Sequence, residues 1–208
     1  MDIKLISNEE KKNRITFSVS GIDIAYANTL RRIMGFEVPV MAIDEVEFRK
    51  NSSILYDELF AHRLGLIPLT TDLKAYTMTS ECKCGGAGCA SCTVKFTLKA
   101  AGPCTVYTAD LKSKDPDIKP IANKIPIVKL LEDQEVELEA TATLGKGKDH
   151  SKYCPGLIFY RIPDQDKDEF IFTVESWGQL TPKEIVIKAI DLYNSQLEEF
   201  SELVKKLE

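Results

Sequence analysis

ANTLRRIMGFEVPVMAIDEVEFRKNSSILYDELFAHRLGLIPLTTD, residues 27–72, is dense in charged residues placed among apolar ones, yet it holds no catalytic set. Read locally, it predicts two short helices with a strand between them. The first runs from Ile24 to Met34: Asp23 can cap its start, Ile24, Ala27, Leu30, Ile33 and Met34 recur at helical spacing, and Gly35 offers a left-handed stop. Arg31 and Arg32 sit near its C-terminal end, where the helix dipole favours cations. After Pro39, Val40 to Phe48 alternates between apolar and acidic residues as a half-buried strand does, and Asn51 to Ser53 breaks it. A second helix follows from Asp57 to Leu64, and Gly65 ends it.

The strongest helix signal lies at the other end of the chain. Thr181-Pro182-Lys-Glu184 combines a capping threonine, a proline in the first turn and a glutamate that can reach back. From there Val186, Ile190, Tyr193, Leu197, Phe200, Val204 and Leu207 alternate spacings of four and three, a heptad seam. At ~1.5 Å per residue the helix would be about 39 Å long. No other predicted helix matches that length, so its outer part would stay exposed unless a partner covers it, the alternative being a helix that lies wholly across this protein's own sheet.

Cys82, Cys84, Cys89 and Cys92 form C-x-C-x4-C-x2-C with Gly85, Gly86 and Gly88 between the pairs. Four thiolates on a glycine-rich loop can wrap a tetrahedral zinc and leave no open position, so the metal would be structural. Two disulfides or an empty reduced loop are the alternatives. Cys104 and Cys154 are isolated and read as ordinary buried thiols.

Other constellations carry no chemistry. Asp164, Asp166, Asp168 and Glu175 have the spacing of a calcium loop, but Glu169 occupies the place that needs glycine and Phe170 to Val174 reads as a strand. His62 and His150 have no nucleophile at recognisable spacing. Gly145-Lys-Gly-Lys148 lacks the full phosphate-loop pattern and reads as a turn between strands, and the lysines from Lys146 to Lys152 as a solvated turn. With 208 residues, 44% of them hydrophobic, the chain can bury a sizeable core. Its net charge of -5 argues against extensive direct binding to nucleic acid. The amino terminus has no apolar leader and no run is long enough to span a membrane, so a cytoplasmic protein is expected.

Asn28-Thr-Leu-Arg-Arg-Ile33, Val38-Pro-Val40, Ala42-Ile-Asp44, Asn51-Ser52 with Asp57-Glu58, and Ala61-His-Arg-Leu-Gly-Leu-Ile-Pro68 resemble the assembly-platform subunits of multisubunit RNA polymerases. These are the archaeal D-type subunits, the third-largest eukaryotic subunit and the bacterial alpha amino-terminal domain. Echoes continue through Leu130-Leu-Glu-Asp-Gln-Glu-Val136, Gly145 to Lys152 with Pro155, Phe172-Thr-Val-Glu-Ser176 and Thr181 to Glu184, so the resemblance covers nearly the whole chain.

The resemblance implies an α+β fold with a discontinuous dimerisation domain, a sheet plus the long C-terminal helix, built from residues 1–38 and 161–208. A β-rich domain, residues 39–160, is inserted and carries the cysteine loop. It implies a noncatalytic subunit of DNA-directed RNA polymerase that pairs with a smaller L-like subunit and supports the two large catalytic subunits. The interface candidates are Asn28, Leu30, Arg31, Arg32 and Ile33, then His62 and Arg63, then Ile190, Tyr193, Leu197, Phe200 and Val204. For Arg31, Arg32, His62 and Arg63 the alternative is internal pairing with Asp44, Glu45, Asp57 or Glu58. A cysteine cluster similar to this one occurs in archaeal and eukaryotic members, although the x4 gap is one residue longer than the eukaryotic pattern. The iron–sulfur insertion of some archaeal members would fall between Ile162 and Glu169, which holds no cysteine, so no iron–sulfur cluster is expected. Two other readings remain: a homodimeric alpha-like scaffold, and a free-standing zinc or redox protein.

Overall fold

The structure is a computed structural model that describes residues 1–163 and 168–207. Its elements run β1 (Asp2–Glu9), β2 (Arg14–Ser20), α1 (Ile24–Phe36), β3 (Val40–Asn51), α2 (Asp57–Gly65), β4 (Thr93–Ala101), β5 (Cys104–Tyr107), β6 (Lys112–Ser113), β7 (Pro126–Leu130), β8 (Glu135–Gly145), β9 (Gly156–Arg161), β10 (Glu169–Ser176) and α3 (Pro182–Lys205). Sheets and three helices together make an α+β fold. The chain divides into two compact units, residues 1–39 with 146–208, and residues 40–145.

In the unit built from both chain ends, four antiparallel strands lie in the order β1-β2-β10-β9. Alternation sends Phe17, Val19, Phe170, Phe172, Val174 and Ile158 to one face, where all are buried. Phe17 and Phe172 stack across neighbouring strands at 5.5 Å, and Tyr160 meets Phe172 from the next strand. α1 contributes Ala27, Leu30, Ile33 and Met34 to this core, and α3 contributes Ile185 and Ala189. Burying a large apolar side chain stabilises by about 1.5–3 kcal/mol, so these helices are held by their inner faces.

The two ends of α1 follow different rules. Asp23 accepts the Tyr26 amide at 2.6 Å, as its capping role requires. Gly35 does not stop the helix. It remains helical and buried beside Ile158, and the helix ends one residue later at Phe36.

In the other unit β3-β8-β4-β6 form one antiparallel sheet and β5-β7 a second. β8 alternates cleanly, with Val136, Leu138, Ala140, Ala142 and Leu144 buried and Glu135, Glu137 and Glu139 turned outward. The outward glutamates pair with Lys50, Lys99 and Lys95 from the strands on either side. α2 packs Phe60 and Leu64 into the same core, where Phe60 meets Phe48 edge to face at 5.5 Å.

The expected insert runs to residue 160, whereas by packing the second unit ends at Gly145. Residues 146–160 join the end-built unit because β9 pairs with β10 along its length. The turn before β9 is held there too. Lys146 and Lys148 both reach Glu37 at 3.2 Å, and Gly147 lies so close to the Gly35 carbonyl that a β-carbon would stand 2.6 Å from it. These two lysines are therefore paired rather than merely solvated.

Candidate subunit interface and metal centre

The helix-side face of the end-built sheet is wider than its helices cover. Ile3 pairs in register with Val19 and Leu5 with Phe17, so both lie on the face that elsewhere forms the core, yet they are 60% and 63% exposed. Between β1 and the first turns of α3 runs an apolar groove of about 330 Å³, bordered by Ile3, Leu5, Tyr26, Val186, Ile187 and Ile190. The predicted C-terminal seam continues from it. Ile190 and Val204 are 42% and 45% exposed, Leu197 50% and Phe200 66%, while Tyr193 is half-buried against Tyr26 at 5.9 Å. Only Ile185 and Ala189 of α3 are buried, so the helix turns its seam outward and keeps a narrower stripe for its own core.

The candidates on the short helices divide by environment. Leu30 and Ile33 are 7% and 5% exposed: they are core residues, with Leu30 also at the floor of the groove, and Ile33 offers no surface. This corrects their reading as outward contacts, since the apolar stripe of α1 faces its own sheet. Asn28 is half-buried and accepts both Nε and Nη2 of Arg31, at 3.2 and 2.8 Å. Arg32 is exposed and makes no ion pair among the described residues. His62 is exposed on α2. Arg63 pairs with none of the four acids named as its alternatives: it donates to the backbone carbonyls of Ile127 at 2.9 Å and Pro126 at 2.8 Å.

Two further exposed sets carry no warning in the sequence. Ile3 and Leu5 lie in a short amino-terminal stretch whose alternation is too brief to read as a strand. Ile54, Tyr56 and Leu59 stand 82%, 78% and 55% exposed around the start of α2. Hydrogen bonds tie down the loop that carries the first two. Asn51 donates to the Leu55 carbonyl at 2.9 Å and to Asp57 at 2.7 Å, and accepts from the Ser53 amide and hydroxyl.

The cysteine loop brings all four sulfurs within 4.8 Å of one another. Cys82 and Cys89 are 3.5 Å apart, Cys84 and Cys92 3.7 Å, and Cys89 and Cys92 3.8 Å. A tetrahedron with metal–sulfur bonds of about 2.3 Å has edges of about 3.8 Å, so the donor set fits one closed tetrahedral ion. Gly85, Gly86 and Gly88 have φ of 63°, 89° and 77°, left-handed values that permit the reversal between the two cysteine pairs. The Cys89 amide donates to the Cys92 sulfur at 3.2 Å. Without a cation the thiols separate in acidity. The hydrogen bond from Cys82 leads those that lower the Cys84 thiol to about 6. At Cys92 the Cys89 amide works downward, but burial and the three neighbouring thiols outweigh it and push the group up to about 12. Four thiolates gathered in one pocket would need a cation, and this donor set could hold a metal.

Beside this loop the Tyr76 hydroxyl donates to Asp115. Burial first, then the carboxylate, raises the tyrosine, and the same bond holds Asp115 below its usual range. Cys104 departs from its expected burial: it is exposed, its thiol against the Ala101 carbonyl, while Cys154 is half-buried. In the calcium-like run, Glu175 lies in β10 and is bound to Arg14 at 2.5 Å, whereas Asp164 and Asp166 lie outside the described residues. His150 accepts the Lys152 amide at 3.0 Å and so closes a turn. No described helix is long and apolar enough to cross a membrane.

A family model described as the RNA polymerase Rpb3/RpoA insert domain matches residues 41–158, a span that runs past Gly145 into β9. DNA-directed RNA polymerase subunit Rpo3 of Methanosarcina acetivorans is 34% identical, with 100% of this chain and 98% of that protein covered. Its alignment takes 266 positions for 208 residues, so that protein has segments without a counterpart here. Rpo3 of Archaeoglobus fulgidus is 32% identical over 96% of this chain and 97% of its own. Rpo3 of Pyrococcus furiosus is 46% identical over 74% of this chain and 56% of its own. A model matching over half of the chain and relatives matching end to end lead to one conclusion: the chain belongs to the Rpb3/RpoA family of DNA-directed RNA polymerase subunits, alongside archaeal Rpo3.

Proposed function

We propose that this noncatalytic subunit is an assembly platform: it pairs with a smaller L-like polymerase subunit through its end-built unit, and the pair supports the two large catalytic subunits. The observation that carries the pairing is the continuous apolar surface of β1, the groove and the outward seam of α3. Ile3, Leu5, Leu197 and Phe200 are each at least half exposed, more apolar surface in one place than a lone soluble chain ordinarily keeps. A partner with the same type of sheet and helix would bury it. Ile190, Tyr193, Leu197, Phe200 and Val204 are the seam contacts, with Leu30 beneath the groove.

The large subunits meet the cations and exposed apolar residues of the shorter helices. Arg32 and His62 have exposed side chains to offer, and Asn28 and Arg31 act as a joined pair. Arg63 is committed to the strand carbonyls and acts by positioning α2. Cys82, Cys84, Cys89 and Cys92 hold a structural zinc that staples the loop before β4. Bound there, zinc would cross-link the chain and perform no reaction, because four sulfurs leave it no open site. Co-expression with the L-like subunit tests the proposal. A one-to-one complex supports it; a chain that stays monomeric beside the expressed L-like subunit, or forms a stable symmetric homodimer, overturns it.

A further inference from the structure

We propose that the four-cysteine loop is a peroxide-responsive switch, in which hydrogen peroxide closes two crossed disulfides, Cys82–Cys89 and Cys84–Cys92, and so expels the metal. The pairing follows from the order of the sulfurs in space. The contacts at 3.5 and 3.7 Å join Cys82 to Cys89 and Cys84 to Cys92, and together they use every thiol once. Of the other two pairings, Cys89 with Cys92 at 3.8 Å would leave Cys82 with Cys84 across a single intervening residue, a ring too small for an unstrained disulfide. Cys82 with Cys92 beside Cys84 with Cys89 is the pairing that the test must exclude.

Two features let the reaction proceed. Cys82, Cys84 and Cys89 are each partly exposed, so a small oxidant reaches one member of either pair. A disulfide needs its sulfurs at about 2.05 Å, so each pair must close by well over an ångström. The turn between the pairs has open space beside it, since no atom lies within 4 Å of a β-carbon built on Gly85 or Gly86, and its glycines carry no side chains to obstruct closure. The chemistry balances with peroxide as the only co-reactant. One thiolate of a pair attacks a peroxide oxygen, becomes a sulfenic acid and releases hydroxide. The second thiolate attacks that sulfur, forms the S–S bond and expels a second hydroxide. Each pair thus gives up two electrons to one peroxide. After both pairs have reacted no anionic sulfur remains to bind the cation, and a thiol reductant reverses the change.

The release of metal rests on the zinc reading above, whereas the pairing rests on the sulfur positions alone. The two are separable in one experiment on the full chain, purified reduced with zinc and titrated with hydrogen peroxide. Zinc is read with a chromogenic chelator and cross-links by mass spectrometry after trypsin, which cuts after Lys83 and Lys95 and so parts Cys82 from the other three. Wild type is expected to release its zinc as peptides 75–83 and 84–95 become joined, with one further disulfide inside the second. Cys84→Ser decides the partners: Cys82 joined to Cys89 with Cys92 free supports the proposal. Cys82 joined to Cys92 with Cys89 free, Cys82 free with Cys89 joined to Cys92, sulfinic acids in place of disulfides, or cross-links through Cys104 would overturn it. A chain that carries no zinc at the outset overturns the metal reading and the release of metal, while its cross-links still decide the pairing.

Discussion

The sulfurs of Cys82, Cys84, Cys89 and Cys92 stand at separations that suit a tetrahedral ion. Cys92→Ser is expected to weaken zinc retention by more than about 100-fold in chelator competition, because it removes a ligand and the acceptor of the Cys89 amide together. The pair Tyr76–Asp115 is not legible, since the two lie far apart in sequence and only the fold joins them. Tyr76→Phe should cost about 1 kcal/mol in denaturant unfolding at pH 7. The sign of its pH dependence follows from the lowered Asp115. Such a carboxylate adds stability above its unfolded value near 3.9 and loses it as pH falls through the folded value. The gap between wild type and Tyr76→Phe should therefore narrow below about pH 4, and a constant gap would show that the bond is not its cause.

At the scale of elements, local rules locate helices well and fail where tertiary contact decides. The capping box of α3 is formed as its residues predict, with the Glu184 amide 3.3 Å from the Thr181 hydroxyl and the Thr181 amide 2.8 Å from Glu184. Thr181→Ala is expected to lower stability by about 1 kcal/mol, measurable by thermal unfolding. Gly35 misleads because a glycine after an apolar run need not stop a helix, and here α1 continues through it to Phe36. β1 is hidden in the sequence because its apolar residues are few. The seam of α3 is readable, and its direction is what the structure adds. Ile185→Ala, on the buried face, should cost about 2–4 kcal/mol in the chain itself. Leu197→Asp and Phe200→Asp, on the exposed face, should change the chain's own stability by less than about 0.5 kcal/mol. They should instead weaken pairing with the smaller subunit by at least tenfold, as read by titration of one subunit into the other.

For the whole molecule, the two compact units divide at residues 39/40 and 145/146, and the limits of each follow strand pairing. That the chain leaves one unit, builds another and returns is what the family resemblance implies. By packing, the point of return is set by the register of β9 with β10. Membership in the polymerase family explains why a chain with dense charge clusters has no catalytic set: its surfaces have to be recognised by other subunits. The most direct test is sedimentation equilibrium on the chain with the L-like subunit, for wild type and for the double variant Leu197→Asp with Phe200→Asp. The account predicts a one-to-one heterodimer for wild type and separate chains for the variant at the same concentration. A wild-type chain that stays monomeric, or a variant that pairs as tightly as wild type, would contradict it.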